Sequence, residues 1–378
     1  QYKTATLATG DFAGFHLTST LTPTMKSHLT YVQIEENLEG THSGVGQYGF
    51  GNDWAFIASA EYTPIKGLDV RPIYSVAVLE GTTNANTRFN RGGVTNTQTV
   101  FRPNDIEDRH TFGVDARYRA GNFFLDPTIL WQLGTRMHQV VQNSAWGTKD
   151  PAGTTARPSL NAWLVDVRGG YRMGPLLLEA MGMYTTGNNA RDNLNKNVNY
   201  YHALDTDSSY YAAGWSAIWG LGVDYYKALF QTGAGAAQGV NLTNNIGYNI
   251  YGRAQVGVRG TYSVTPALDL RGVVTPAWTA EEVDIDSYGT TGATPAAGPT
   301  AQPNLTGDGK VEGQSRYLGT EILGGFTWLF APGLTFDYEI AYLFAGGALD
   351  RRIIKTGGPT RVEAEDAFIT TARVRYAF

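Results

Sequence analysis

Apolar and polar residues alternate with a period of two along most of the chain, which is the pattern of β-strands with one apolar face. Near the C-terminal end, Phe368 and Tyr376 occupy even positions, whereas Arg373 and Arg375 occupy odd positions. The segment 248–262 shows the same division between apolar even positions and polar odd positions. Such segments predict strands that carry one apolar and one cationic face.

Two kinds of connection separate these segments. One kind is short and contains glycine or proline, as hairpin turns do. The short turns lie near 22–26, 64–67, 120–122, 173–175, 265–267 and 331–333. The long polar connections lie near 38–52, 81–108, 137–158, 188–208, 282–314 and 348–362. Because the two kinds alternate, we expect long loops at one end of the sheet and short turns at the other.

The pattern therefore predicts an all-β fold: an antiparallel up-and-down barrel of about 16 strands in a single domain, 1–378. The count falls to 14 if the two least regular segments, 2–9 and 225–237, are not strands. The predicted strands are 2–9, 12–22, 27–37, 53–63, 68–80, 109–119, 123–136, 159–172, 176–187, 209–223, 225–237, 247–264, 267–281, 315–330, 334–347 and 362–378.

Composition excludes several other classes of protein. A length of 378 residues ordinarily suggests two or three domains, but no linker divides the chain. The absence of cysteine excludes a disulfide scaffold and a cysteine-ligated metal. A net charge of −5 argues against a nucleic-acid partner. No apolar stretch approaches the ~20 residues of a transmembrane helix. A mean hydropathy of −0.25 fits a chain that is apolar on one face and wet on the other.

Strand length and aromatic placement favour a barrel in a bilayer over a soluble β-sandwich, which also shows alternation. Most predicted strands have about 11–17 residues, against ~5–6 in soluble sheets and ~9–11 needed to cross a bilayer. Tyrosine and tryptophan gather near strand ends, as at Trp54, Tyr171 and Trp328. These side chains favour the membrane–water interface because they combine an apolar ring with a polar atom.

The final residues, Val374-Arg375-Tyr376-Ala377-Phe378, resemble the C-terminal signature of Gram-negative outer-membrane porins. The resemblance implies that Tyr376 and Phe378 form an insertion signal for the barrel-insertion machinery. It also implies an outer-membrane location among lipid and lipopolysaccharide, a periplasmic C-terminus, extracellular long loops and a signal peptide already removed. The length and the arginine-rich wall further resemble porins of the alginate-export type.

The polar face would then line a channel for passive diffusion of small hydrophilic solutes or ions. The candidate lining cations are Arg71, Arg117, Arg119, Arg168, Arg172, Arg253, Arg259, Arg271, Arg373 and Arg375. The candidate anions are Glu61, Asp126, Glu321, Asp337 and Glu339. Two interpretations stay open. The arginines guide anionic or polyhydroxyl solutes, or they pair with acids on neighbouring strands and stiffen the wall.

Catalysis and cofactor binding find little support in the sequence. The six histidines are scattered without metal-ligand spacing, so we expect no enzyme and no cofactor. The acidic residues Glu282, Asp284 and Asp286 form a candidate calcium site, with a solvated loop as the alternative. The loop 81–108 is long enough to fold inward and narrow a channel, or to cap it from outside.

Two other functions remain open from the sequence. One is a barrel that sheathes or anchors a partner protein, which needs a wide lumen with few charges. The other is a soluble polysaccharide-binding β-protein, which would be extracted without detergent. A homotrimer, common among general porins, is a further possibility for which no interface motif stands out.

Overall fold

In the computed structural model, most of the described residues form one large antiparallel β-sheet. The structure describes residues 7, 13–36, 52–80, 106–139, 155–189, 196–201, 204, 215–218, 251–283, 315–355 and 358–377. Among these residues, no helix has the length and hydropathy to cross a membrane.

The described part of the chain contains 17 strands. They are β1 Ala13–Thr22, β2 Met25–Glu36, β3 Asn52–Ile65, β4 Leu68–Glu80, β5 Ile106–Ala120, β6 Phe123–Gln139, β7 Thr155–Ala156, β8 Ser159–Met173, β9 Leu176–Thr185, β10 Asn197–Val198, β11 Arg253–Thr265, β12 Leu268–Val283, β13 Ser315–Ala331, β14 Leu334–Ala345, β15 Arg351–Lys355, β16 Gly358–Val362 and β17 Ala367–Tyr376.

Long strands that are neighbours in the sheet are also neighbours along the chain. The order is β1-β2-β3-β4-β5-β6-β8-β9-β11-β12-β13-β14-β17, with β7 and β10 paired at its side and β15–β16 as a separate hairpin. The predicted all-β, antiparallel, up-and-down fold is therefore confirmed. Within the described residues, the main sheet has 15 strands, including the two-residue strands β7 and β10, a count between the predicted values of 14 and 16.

One face of this sheet is buried, although the described residues include no second large sheet that could cover it. Instead, buried side chains from strands as far apart in the order as β2 and β9, such as Val32 and Met183, belong to one apolar cluster. A single sheet achieves this by curving around its own inner face. The inner face is therefore the side on which a functional site can form.

Short turns close one end of the sheet, as the glycines predict. Gly67, Gly121, Gly174 and Gly333 have φ values of 86°, 56°, 56° and 73°. Glycine adopts this left-handed conformation without the steric cost that other residues incur. These turns fix the pairing of the strands that they join.

The structure corrects the prediction for the chain between β9 and β11. These two strands pair directly from Leu176↔Tyr262 to Thr185↔Arg253. No room is left between them in the sheet for the strands predicted at 209–223 and 225–237. Residues 215–218 instead form a buried turn. The rest of these two spans, and the span 2–9 apart from Leu7, lie outside the described residues.

A local irregularity reverses the two faces of β13. Gly319 has a φ of 135°, and the register shifts where Ala277 and Trp278 oppose Gly319 and Tyr317. Leu318 therefore points inward and is 1% exposed, whereas Tyr317 lies outside beside Trp278. The strict period of two predicts the opposite orientation for Leu318 and Tyr317.

The outer face carries two belts of aromatic side chains with aliphatic residues between them. The belt near the short turns contains Tyr62, Tyr118, Tyr171, Tyr262, Trp328 and Tyr376, and the second belt contains Trp54, Phe112, Trp131, Trp163, Tyr184 and Tyr342. Trp163 and Tyr171 lie on one strand, eight residues apart. At ~3.3 Å per residue and a usual tilt of ~35–45°, this separation is roughly 20 Å, close to the ~25 Å apolar band of outer-membrane barrels.

Candidate functional site on the inner wall

Most of the described charged side chains of the long strands lie on the inner face, and several oppose each other across strand pairs. Asp126 is in register with Arg168, Glu179 with Arg259, and Asp337 with Arg373. Opposite charges on facing positions of neighbouring strands attract each other. The wall therefore combines cations and anions rather than forming a continuous cationic surface.

Two of these groups make close ion pairs. Arg259 donates hydrogen bonds to both carboxylate oxygens of Glu179, at 2.6 and 2.8 Å. Arg375 donates to both oxygens of Asp337, at 2.7 and 3.0 Å, and Arg373 donates to Asp337 at 3.4 Å. Two guanidinium groups thus share the Asp337 carboxylate.

Further candidate residues are paired in the same way. Arg168 bonds to Asp166 at 3.1 and 3.3 Å, and Arg119 bonds to Asp126 with a contact of 2.9 Å. Arg271 forms an ion pair with Glu339. This pairing supports the interpretation in which the charges stiffen the wall.

The remaining candidate lining residues have varied surroundings. Arg71 bonds to the Ser59 hydroxyl at 3.0 and 3.1 Å, and Glu61 lies 3.5 Å from His28. Arg253 is buried, and its backbone N–H donates to Thr185 at 2.8 Å. Arg117 is in register with Asp69, and Arg172 is exposed near a short turn.

The other predicted sites fall at the margins of the described residues. Tyr376 is exposed on the outer face of β17, and Phe378 lies outside the described residues. Glu282 is the penultimate residue of β12, whereas Asp284 and Asp286 lie outside the described residues, as does the loop 81–108 up to residue 105. Within the described part of the chain, no group of three or more metal-ligating side chains comes together.

The sequence did not predict that residues 215–218 pack against this wall. We call these residues the anchored turn. Glu321 accepts hydrogen bonds from the Ser216 hydroxyl, from the Ala217 N–H at 2.7 Å and from the Ile218 N–H at 3.2 Å. Thr275, which is in register with Glu321, donates to the Trp215 carbonyl at 2.8 Å. Side chains of two adjacent strands therefore hold all four residues of the turn.

The Trp215 indole fits a notch in the wall. A Cβ atom on Gly257 would lie 3.0 Å from Cε3 of Trp215 and 3.2 Å from Cγ of Met181. The Arg259 guanidinium carbon lies 4.4 Å from the centre of the indole ring, which is a cation–π distance. Glu179 accepts hydrogen bonds from the same guanidinium, so the ion pair also positions Trp215.

A second stretch, 196–201, also lies inside the curved sheet. Asn188 accepts from the Asn199 N–H at 2.7 Å and donates to the Asn197 carbonyl at 3.1 Å. Arg136 donates to the Tyr200 hydroxyl at 3.4 Å. Tyr201 is 0% exposed, and burial raises the pKa of both tyrosine phenols above the ordinary value. Both phenols are therefore neutral at physiological pH.

The interior next to these stretches is apolar. One cluster contains Trp215, Ile218 and Tyr200 together with wall residues of β8, β9 and β12–β14. Another contains Leu7, Tyr201 and Leu204, and the Leu204 N–H donates to the Leu7 carbonyl at 2.7 Å. These stretches therefore fill part of the space enclosed by the curved sheet. Any passage through that space is narrower as a result.

Comparisons with solved structures return matches that span most of this chain at low sequence identity. OccK5 (OpdH) of Pseudomonas aeruginosa is 11% identical with a TM-score of 0.44, and the match covers 100% of this chain and 76% of that one. OccAB1 of Acinetobacter baumannii is 12% identical with a TM-score of 0.42, and the match covers 98% and 71%. The outer membrane protein OprD from P. aeruginosa is 10% identical with a TM-score of 0.41, and the match covers 96% and 69%.

No family model matches the chain, and no curated protein sequence matches it.

Proposed function

We propose that the protein is a non-catalytic outer-membrane channel for passive diffusion of small hydrophilic solutes or ions. The observation that carries this proposal is the division of one curved sheet into two faces. Aromatic belts and aliphatic residues cover the outside, and paired charges lie inside. A barrel that has lipid outside and water inside requires an apolar outer face and a polar inner face.

The exposed apolar residues support a bilayer around the sheet. Val258, Val374 and Ile322 point outward and are 62%, 63% and 48% exposed. They belong to an apolar surface that extends over many strands, which is far larger than the few hundred Å² usual on soluble proteins. Lipid contact removes the cost of exposing this surface to water. The similarity to OprD, an outer membrane protein, agrees with this location.

The paired charges support weak rather than strong ion selectivity. Each close pair, such as Arg259 with Glu179, cancels most of its own field at the distance of a passing ion. Ion selectivity depends on rings of side chains that carry charge of one sign. Pairing of opposite charges lowers the net charge of such rings. We therefore expect anions and cations to pass at comparable rates.

The test is single-channel recording of the purified protein in planar lipid bilayers. We expect stable ohmic current steps and, in a potassium chloride gradient, a reversal potential close to zero. A folded protein that never conducts would contradict the proposed channel function. A reversal potential near the equilibrium potential of either potassium or chloride would contradict weak selectivity. Formation of a homotrimer and recognition by the barrel-insertion machinery remain predictions.

A further inference from the structure

The anchored turn, residues 215–218, is attached to the wall by an unusually specific set of contacts. Glu321 is 1% exposed and accepts three hydrogen bonds from the turn. Hydrogen bonds to an ionised carboxylate are worth more than neutral ones. Because the acceptor is a wall side chain, this attachment depends on one residue far from the turn in sequence.

The contacts around Trp215 fix the same turn in a second direction. The Gly257 notch receives the indole, the Arg259 guanidinium covers it, and Thr275 binds the carbonyl. Trp215 is 3% exposed, and all residues from Ser216 to Ile218 are at most 3% exposed. The four residues of the turn therefore lie buried in a recess of the inner wall.

We propose that Glu321 is the positioning residue that fixes the anchored turn on the inner wall, and that this attachment sets the size limit for solutes. The proposal rests on the channel function proposed above. Glu321 therefore acts through the turn that it holds, not as an anion facing the passage. The structure places it beneath the turn, where a passing solute meets the turn first.

A thiol reporter tests the attachment without measuring transport. The chain contains no cysteine, so Ala217→Cys introduces a single thiol. Ala217 is 1% exposed and contributes only its backbone N–H to Glu321, which the substitution retains. The rate of reaction with a bulky hydrophilic maleimide is measured on folded protein in detergent. Folding is checked by far-ultraviolet circular dichroism.

We expect slow labelling when Glu321 is present and labelling at least about tenfold faster in the Glu321→Ala background, since several charge-assisted hydrogen bonds are lost. Glu321→Gln retains one acceptor oxygen and is expected to show an intermediate rate. The matched control is Glu281→Ala, because Glu281 is a carboxylate on the adjacent strand that pairs with Arg316 and does not bond to the turn. Its labelling rate is expected to equal that of the native background.

The size limit is measured by swelling of liposomes in neutral sugars of increasing size, with single-channel conductance alongside. Glu321→Ala is expected to admit larger sugars and to raise conductance, whereas Glu281→Ala does neither. Unchanged labelling in Glu321→Ala would overturn the anchoring role. Faster labelling with an unchanged size limit would overturn the link to solute size.

Failure of the channel function gives a different result. If neither the native protein nor any variant conducts, the channel and the size limit are both overturned. Faster labelling in Glu321→Ala would even then establish Glu321 as the anchor.

Discussion

Glycines of the wall differ in how much space a side chain at their position would have. Gly257 faces inward, and a Cβ atom there would crowd Trp215 and Met181. Gly272, on the neighbouring strand, faces outward, and a Cβ atom there would meet nothing within 4 Å. Glycine is a poor strand former, so its presence at position 257 is explained by the close approach of Trp215. The contact could not be predicted, because Trp215 is distant in sequence.

The pair Gly257→Ala and Gly272→Ala tests this difference. We expect Gly257→Ala to destabilise the protein by about 1–3 kcal/mol through overpacking. Gly272→Ala is expected to be neutral or stabilising by up to about 1 kcal/mol, because alanine costs less backbone entropy. Urea unfolding in detergent, followed by circular dichroism, gives the two free energies. Equal effects of the two substitutions would show that the notch does not require glycine.

At the scale of strands, the period of two predicted most of the sheet and failed where the backbone departs from it. The faces of β11 and β17 follow the pattern, including the inward Arg253, Arg259 and Arg373. The faces of β13 reverse at Gly319, where the register shifts: Tyr317 and Leu318 before it are opposite to the pattern, whereas the side chains after it follow the pattern. A single glycine among many carries no signal that marks it as such a site.

The segment around residue 215 shows a second limit of the same pattern. The sequence predicts a strand at 209–223, a segment that contains Trp215 and Ala217. In the structure, the apolar residues are buried within the barrel by a turn. Alternation reports which side chains are buried, but it does not distinguish a strand in the wall from a stretch packed against that wall.

The pairing between β14 and β17 predicts a measurable effect on selectivity. Asp337 is the carboxylate shared by Arg373 and Arg375, so Asp337→Asn removes one negative charge that contacts both guanidinium groups. We expect the reversal potential in a salt gradient to shift toward anions. Thr327→Val is the control, since it removes the 2.9 Å hydrogen bond that a neutral hydroxyl donates to the same carboxylate, without a change in charge. The same reversal potential in both variants would contradict a role for this cluster in selectivity.

For the whole molecule, the outward apolar face is the feature that decides between lipid and water. Val258 lies between the two aromatic belts and is 62% exposed. We expect Val258→Arg to reduce folding into phospholipid vesicles by about 2–4 kcal/mol, the cost of a cation near the middle of a bilayer. Val258→Leu, which keeps the position apolar, is expected to fold normally. Equal folding yields would indicate that this face lies in water.

The order of the strands also bears on how the chain folds. Each long strand pairs with the next one along the chain, so the sheet can grow by closing one connection at a time. The contacts in the interior join distant positions: Ser216 and Glu321 are 105 residues apart in sequence. Such contacts form only after the intervening strands have assembled. Filling of the interior is therefore expected to be a late kinetic step, separate from and slower than formation of the wall.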